Sequence, residues 1–206
     1  MSAPDSDLAS DPPKTIDELR EVAAHCTACD LYERATQTVF GEGPAAARAV
    51  FIGEQPGDQE DQVGRPFVGP AGHVLDDACR DAGIDRTTVY LTNAVKHFKW
   101  IPRGKRRLHQ KPNGREIRAC QTWWRSELDV IAPEVVVCLG AVAAQAVLGS
   151  SFRVTRDHGE WQQLDGRRVI ATVHPSAVLR AGDAREEVYA GLVGDLAVVA
   201  EFLDRG

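Results

Sequence analysis

Three local clusters of side chains in this chain could do chemistry. The first is basic and ends in an imidazole. From Lys96 to Arg118 there are nine Lys or Arg residues against one acid, Glu116, with Lys105-Arg106-Arg107-Leu108-His109 at the centre. That is a local excess of eight positive charges in a chain whose formal charge is −6. A solvated loop is the ordinary fate of a charge run, but segregation this sharp favours a loop that faces a polyanion. The second is of metal-ligand type: Cys26 and Cys29 form CxxC, in a chain that has three further cysteines, Cys79, Cys120 and Cys138. Such a set is compatible with zinc as well as with iron. Cys79 in DDACRDAG and Cys138 in EVVVCLG have apolar neighbours and are expected in the core. The third cluster is polar and dispersed: GEQPGDQED (53–61), Asn93, and His174-Pro175-Ser176.

Strands and helices must bring these pieces together. Thr15 stands three residues before Glu18, a capping box, and apolar residues then recur at helical spacing through Leu19, Val22 and Ala23. Residues 48–54, 87–93 and 134–140 are short apolar or β-branched runs, expected as buried strands. Helices are expected over PAGHVLDDACRDAGI with a stop near Gly83, over about 115–131, over AVAAQAVLG, and over about 184–204. EWQQLDGRRVIATVHPS has the pattern of a hairpin turning at Asp165 and Gly166. Alternating strands and helices imply an α/β fold of three layers, α/β/α, with a central, mostly parallel sheet. In that architecture ligands bind where the carboxyl ends of the strands open into loops, and the three polar clusters fall there.

A chain of 206 residues, 43% of them apolar, can bury one core, so residues 15–206 are expected to form a single domain. Residues 1–14 are small, polar and acidic, the composition of a disordered leader, and lack the layout of a signal peptide. No apolar run approaches the roughly 20 residues that cross a bilayer. The expectation is a soluble, cytoplasmic monomer with no membrane partner. Without an export signal, five cysteines do not suggest a disulfide framework.

GEQPGDQEDQVGRPFVGPAG, LTNAVK, HGEW and TVHPSAVLR, in this order and spacing, resemble the uracil-DNA glycosylase superfamily, closest to its iron-sulfur family 4 branch. The resemblance spans about residues 15–205. Within the superfamily, KRRLH resembles the distinguishing loop of the UdgX type, which excises uracil and then stays covalently joined to the DNA through its histidine.

The resemblance implies roles residue by residue. Such an enzyme takes its base out of the stack and stabilises a uracil anion leaving an oxocarbenium-like sugar. Phe67 would stack on the extruded base, the Asn93 amide would pair with the uracil edge, and His174 would hydrogen-bond uracil O2. Gly53, Gln55, Gly57 and Asp58 would line the base and sugar. A carboxylate on one ring nitrogen leaves the other free to attack, so beside the resemblance Glu54 is expected to orient His109 toward C1′, or else only to polarise the pocket. Lys105 and Arg106 would meet DNA, and Arg107 would hold a phosphate or fix the loop. Cys26, Cys29 and Cys120 match the ligands of a 4Fe-4S cluster. The fourth family ligand is a cysteine directly after NAVK, where this chain has His97; His97 is the expected fourth ligand, the other reading being a cluster whose fourth site is filled otherwise. The segment from His97 to Glu116 is also longer than its family 4 counterpart, and the extra residues include KRRLH. Two other readings stand beside this one: a conventional glycosylase with water as the nucleophile, and a nucleic-acid-binding module without catalysis.

Overall fold

The computed structural model describes residues 14–205. The expected leader over residues 1–14 therefore lies outside the described residues, apart from Lys14. Helix α1 (Ile16–Ala23) starts at the capping box, with the Glu18 N–H donating to Thr15 Oγ1 and the Thr15 N–H to Glu18 Oε2. Then follow β1 (Ala49–Gly53), α2 (Asp58–Val63), α3 (Pro70–Asp81), β2 (Tyr90–Asn93), β3 (Trp100–Arg103), β4 (Arg106–His109) and α4 (Gly114–Ile131). The second half holds β5 (Val135–Leu139), α5 (Ala141–Leu148), α6 (Val154–Asp157), β6 (Gln162–Leu164), β7 (Arg167–Thr172), α7 (Pro175–Arg180) and α8 (Arg185–Asp204).

The main sheet has the order β2-β1-β5-β7-β6, parallel throughout except for the edge strand β6, which pairs antiparallel with β7. The two-residue period of a strand divides its side chains between two cores. Val50, Ile52, Val136 and Cys138 point to the side covered by α1, α4 and α5. Ala49, Phe51, Val135, Val137 and Leu139 point to the side covered by α3, α7 and α8. Parallel strands buried on both faces must be apolar at every position, as β1 and β5 are. The β6–β7 turn falls at Asp165 and Gly166, both at positive φ, as expected.

Two segments expected as loops are ordered elements. DQEDQV, with no apolar periodicity, is helix α2. The Glu60 carboxylate at its N-terminus accepts from the Gly57 N–H, and Gly64 in the left-handed region ends it. The basic stretch is the hairpin β3–β4, turning through Gly104 at φ 59° and Lys105. Its register pairs Trp100 with His109 and Pro102 with Arg107. Alternation therefore puts Arg107 and His109 on one face of the hairpin, and Arg103, Arg106, Ile101 and Leu108 on the other. The strand expected over 87–93 is shorter than its β-branched run, because Arg86–Thr88 form a 3-10 turn capped by Asp85.

Candidate active site

The carboxyl ends of β1, β2 and β7 open into a cavity of about 640 Å³, whose lining includes Glu54, Phe67, Asn93, His109 and His174. The contacts there are tight. At Gly53 a Cβ would lie 2.4 Å from Asn93 Oδ1 and 2.6 Å from the Phe67 ring, so only a residue without a side chain lets both groups enter the cavity. Beyond the strand ends the backbone continues the ladder, with the Ala94 N–H on Gly53 O and the Val95 N–H on Glu54 O. The Asn93 amide is buried and makes no hydrogen bond among the described residues, leaving its donor and acceptor for a ligand.

Phe67 sits at φ 54°, a left-handed conformation that a bulky side chain rarely adopts. Its ring lies 6.3 Å from the His174 ring at an interplanar angle of 25°. The carbonyl of Phe67 is so close to Gly72 that a Cβ on Gly72 would sit 1.8 Å from it. Glu60 closes the arrangement, since its Oε1 accepts from the Gly69 N–H at 2.8 Å while Oε2 accepts from the Gly57 N–H at 3.1 Å. One buried carboxylate thereby joins the segment carrying Glu54 to the turn carrying Phe67.

The protonation of His174 follows from its contacts. It is the N-cap of α7, and its Nδ1 accepts from the Ser176 N–H at 3.1 Å. The ring proton is then on Nε2, available as a donor. Loss of hydration pulls the imidazole pKa down to about 4, so the ring is neutral at pH 7.

His109 reaches the same cavity from the hairpin, with Nε2 3.2 Å from Glu54 Oε1. That oxygen is buried and has no hydrogen bond among the described residues, and His109 is half-exposed. The hairpin is held at two places. At its open end the Gln55 amide donates to Lys99 O and Gln110 O and accepts from the Lys99 N–H. Further along, Arg107 lies over the rings of Phe98 and Trp100 at 5.3 and 5.5 Å and binds Asp58 Oδ1 and Asp61 Oδ2, each at 2.5 Å. Asp61 is fully buried and also accepts from the N–H and hydroxyl of Thr36.

These contacts give several of the expected site residues a task within the chain as well. The side chains of Gln55 and Asp58 serve the hairpin, and the Gly57 N–H serves Glu60. All three border the cavity, but their polar groups are engaged by the chain itself. Arg107 fixes the loop, with its guanidinium bound by carboxylates where a phosphate contact was the other expectation. Lys105 and Arg106 are exposed at the turn, and their side chains form no ion pair among the described residues. Asp61, Thr36 and Glu60 were missed by sequence reasoning. The available signal was an acidic DQED segment in a chain that also carries an isolated basic run.

The metal-ligand set also has a definite setting. Cys26, Cys29 and Cys120 are buried, and sulfur accepts N–H donors twice, Cys26 from Trp123 Nε1 at 3.2 Å and Cys120 from the Lys96 N–H at 3.5 Å. A hydrogen bond from the Cys120 thiol pulls the Cys29 pKa down and pushes that of Cys120 up. His97 is buried, with Nε2 2.9 Å from Thr38 Oγ1. The Thr38 hydroxyl proton goes to Ala23 O, so Thr38 accepts from His97 and the lone pair falls on Nδ1, which is buried without a partner. Ala23 O also accepts from the Cys26 N–H, which ties His97 to the cysteine segment. Among the described residues no three such donors converge closely enough for a single metal ion. Burial pushes the thiol of Cys79 up to about 12 and that of Cys138 higher still, as expected of core residues.

A parallel sheet whose strand ends present an amide, a phenyl ring at positive φ and a neutral imidazole to one cavity, beside a hairpin whose turn carries exposed cations, has the layout of a ligand site at the carboxyl ends of the strands. The family model described as the uracil DNA glycosylase superfamily matches residues 40–197, and the chain belongs to that superfamily. It is 40% identical over 174 residues to the type-4 uracil-DNA glycosylase of Thermotoga maritima, covering 81% of this chain and 86% of that protein. It is 35% identical over 182 residues to the type-4 uracil-DNA glycosylase of Archaeoglobus fulgidus, covering 84% and 88%. Among the described residues no helix is long and apolar enough to cross a membrane.

Two outcomes follow from this packing. Gly72→Ala should cost about 1–3 kcal/mol in denaturant unfolding, because the Phe67 turn must move. Gly83→Ala, at a positive-φ glycine where a Cβ meets nothing, should show only the smaller backbone cost. For His174, a folded pKa near 4 against an ordinary 6.5 means that the unfolded chain binds the extra proton between those values. Its contribution is then complete above pH 6.5 and lost as the pH falls toward 4. Unfolding free energies across this range should fall more steeply for the wild type than for His174→Gln, and equal slopes would contradict the assignment.

Proposed function

We propose that this chain excises uracil from DNA and then remains joined to the abasic site through His109. The observation that carries the proposal is the placement of His109 beside Glu54 in the cavity that also holds Asn93, Phe67 and His174. Excision by the type-4 relatives, as their names state, supports the first half. The flipped uracil stacks on Phe67, pairs with the Asn93 amide, and receives the Nε2 proton of neutral His174 as a hydrogen bond at O2. The C1′–N1 bond breaks with its electron pair leaving on uracil, and that developing charge is what His174 stabilises. The neutral His109 imidazole then donates a lone pair to C1′, forming a C–N bond and an imidazolium beside the Glu54 carboxylate. Loss of the remaining ring proton to Glu54 or solvent leaves a neutral adduct, and uracil takes a proton from solvent. The chemistry depends on position, since a nucleophile about 3–3.5 Å from the electrophile captures it before a diffusing one.

Mass spectrometry after incubation with a uracil-containing oligonucleotide should show protein plus abasic DNA. His109→Ser should still release uracil but form no denaturation-resistant complex, and it should turn over repeatedly as water takes the vacated position. Cross-linking by that variant would assign another nucleophile. Complete loss of uracil release would place His109 in the cleavage step itself.

A 4Fe-4S cluster held by Cys26, Cys29, Cys120 and His97 belongs to the same proposal. The residues fit it: three buried sulfurs, two of them already accepting N–H donors, and a buried imidazole whose free nitrogen has no partner. A cluster is wider than one ion, so its ligands need not converge on a single point. Bound there, it would brace the segment before the hairpin against α1 and α4. Purified protein should contain iron and absorb in the visible, and Cys26→Ala or Cys120→Ala should bleach it while Cys79→Ala does not. Zinc without iron would overturn the assignment.

A further inference from the structure

Behind Asn93 lies a closed polar network that does not line the cavity. Lys96 and Glu127 have no exposed side-chain surface, and Lys96 Nζ donates to Glu127 Oε2 at 2.6 Å. The same ammonium donates to the Asn93 carbonyl at 3.0 Å and to Thr92 Oγ1. Glu127 also accepts from the Gly41 N–H at 3.1 Å, the Tyr90 hydroxyl at 3.0 Å and the Thr92 hydroxyl at 2.9 Å. Every part of the carboxylate is thus matched by donors from the segment before β1, from β2 and from the turn that follows it.

A buried ion pair is a poor source of stability compared with apolar side chains of the same volume, so stability alone does not explain its presence. Among its contacts, the pair holds the backbone of one residue of the site, the Asn93 carbonyl, through the ammonium. Asn93 ends β2, its carbonyl is gripped by Lys96, and its amide makes no hydrogen bond among the described residues. The direction of that amide therefore depends on its backbone and on contact with Gly53 and Phe67. We propose that Lys96, braced by Glu127, is a positioning residue that sets the Asn93 amide for base recognition. This rests on the reading of the site as a uracil-excising one. The backbone N–H of Lys96 that reaches Cys120 Sγ is retained in any side-chain substitution, so the role can be tested apart from the cysteine cluster.

The test is a double-mutant cycle on single-turnover uracil release at saturating DNA. Lys96→Met/Glu127→Gln removes both charges together and avoids stranding one. It should slow release about ten- to hundredfold with uracil-free DNA binding unchanged, the size expected of a small misplacement. Added to Asn93→Ala, it should slow release no further. Equal slowing in both backgrounds, or none in the first, overturns the proposal. If that pair does not fold, Lys96→Gln/Glu127→Gln keeps polar partners with a shorter reach and is held to the same non-additivity. Tyr90→Phe, which removes one Glu127 partner and leaves the grip on Asn93, should lower stability and keep the release rate. A wild-type protein that releases no uracil would defeat the functional reading itself, an outcome distinct from additivity.

Discussion

Three buried carboxylates, Glu60, Asp61 and Glu127, determine where the loops of this protein go. A carboxylate removed from water must be met by donors at nearly every lone pair, or its burial costs several kcal/mol. The donors available at the end of a parallel sheet are loop N–H groups, hydroxyls and cations from distant parts of the chain. Glu60 gathers the N–H groups of Gly57 and Gly69, Asp61 gathers Thr36 and Arg107, and Glu127 gathers Gly41, Tyr90, Thr92 and Lys96. Each set contains a segment that borders the cavity. The desolvation requirement of three acids thereby becomes the geometry of a site.

The same requirement divides the basic cluster in two. Lys96, Lys99 and Arg107 are paired with Glu127, Glu116 and the Asp58–Asp61 pair. Arg103, Lys105, Arg106, Lys111, Arg115 and Arg118 are exposed and form no ion pair among the described residues. The paired cations build the platform, and the exposed ones give it a positive outer surface next to the cavity mouth. Exposed charges of one sign in a chain of net −6 attract a polyanion locally while the rest of the surface repels it, which concentrates encounters on this face.

The layered fold was legible because burial on both faces leaves an unmistakable mark. β1 and β5 are apolar at each position, and α4 between them carries a capping box and an apolar stripe. Asn93 and His174 were legible for a related reason, as polar residues at the ends of such strands. The hairpin and α2 were not. Neither has a periodicity that packing would impose: Arg103 and Arg106 face solvent, and α2 persists through Glu60 at one end and Gly64 at the other. Elements held by long-range polar contacts, as this hairpin is by Gln55 and Asp61, have no local signature, because the partners are about 44 to 55 residues away.

The three imidazoles at or near the site differ in what the chain asks of their nitrogens. His174 has Nδ1 occupied by the Ser176 N–H, and His97 has Nε2 occupied by Thr38, so in each case one tautomer is fixed and the other nitrogen has a defined character. On His174, which lines the cavity, it is a donor, and on His97 it is a lone pair in a dry setting. His109 differs, for it is half-exposed and its Nε2 lies 3.2 Å from a carboxylate oxygen that has no hydrogen bond among the described residues. At 3.2 Å, Glu54 is close enough to take an N–H from the neutral ring after a small rotation and to balance the charge of an imidazolium. Under the proposed reaction that is the property the step requires, since the ring begins neutral and carries positive charge once its nitrogen is bonded to C1′. The hairpin carries this ring while Asn93, Phe67 and His174 come from the end of β2, the turn before α3 and the start of α7, so under the proposed reaction base recognition and the choice of nucleophile rest on separate elements of the fold.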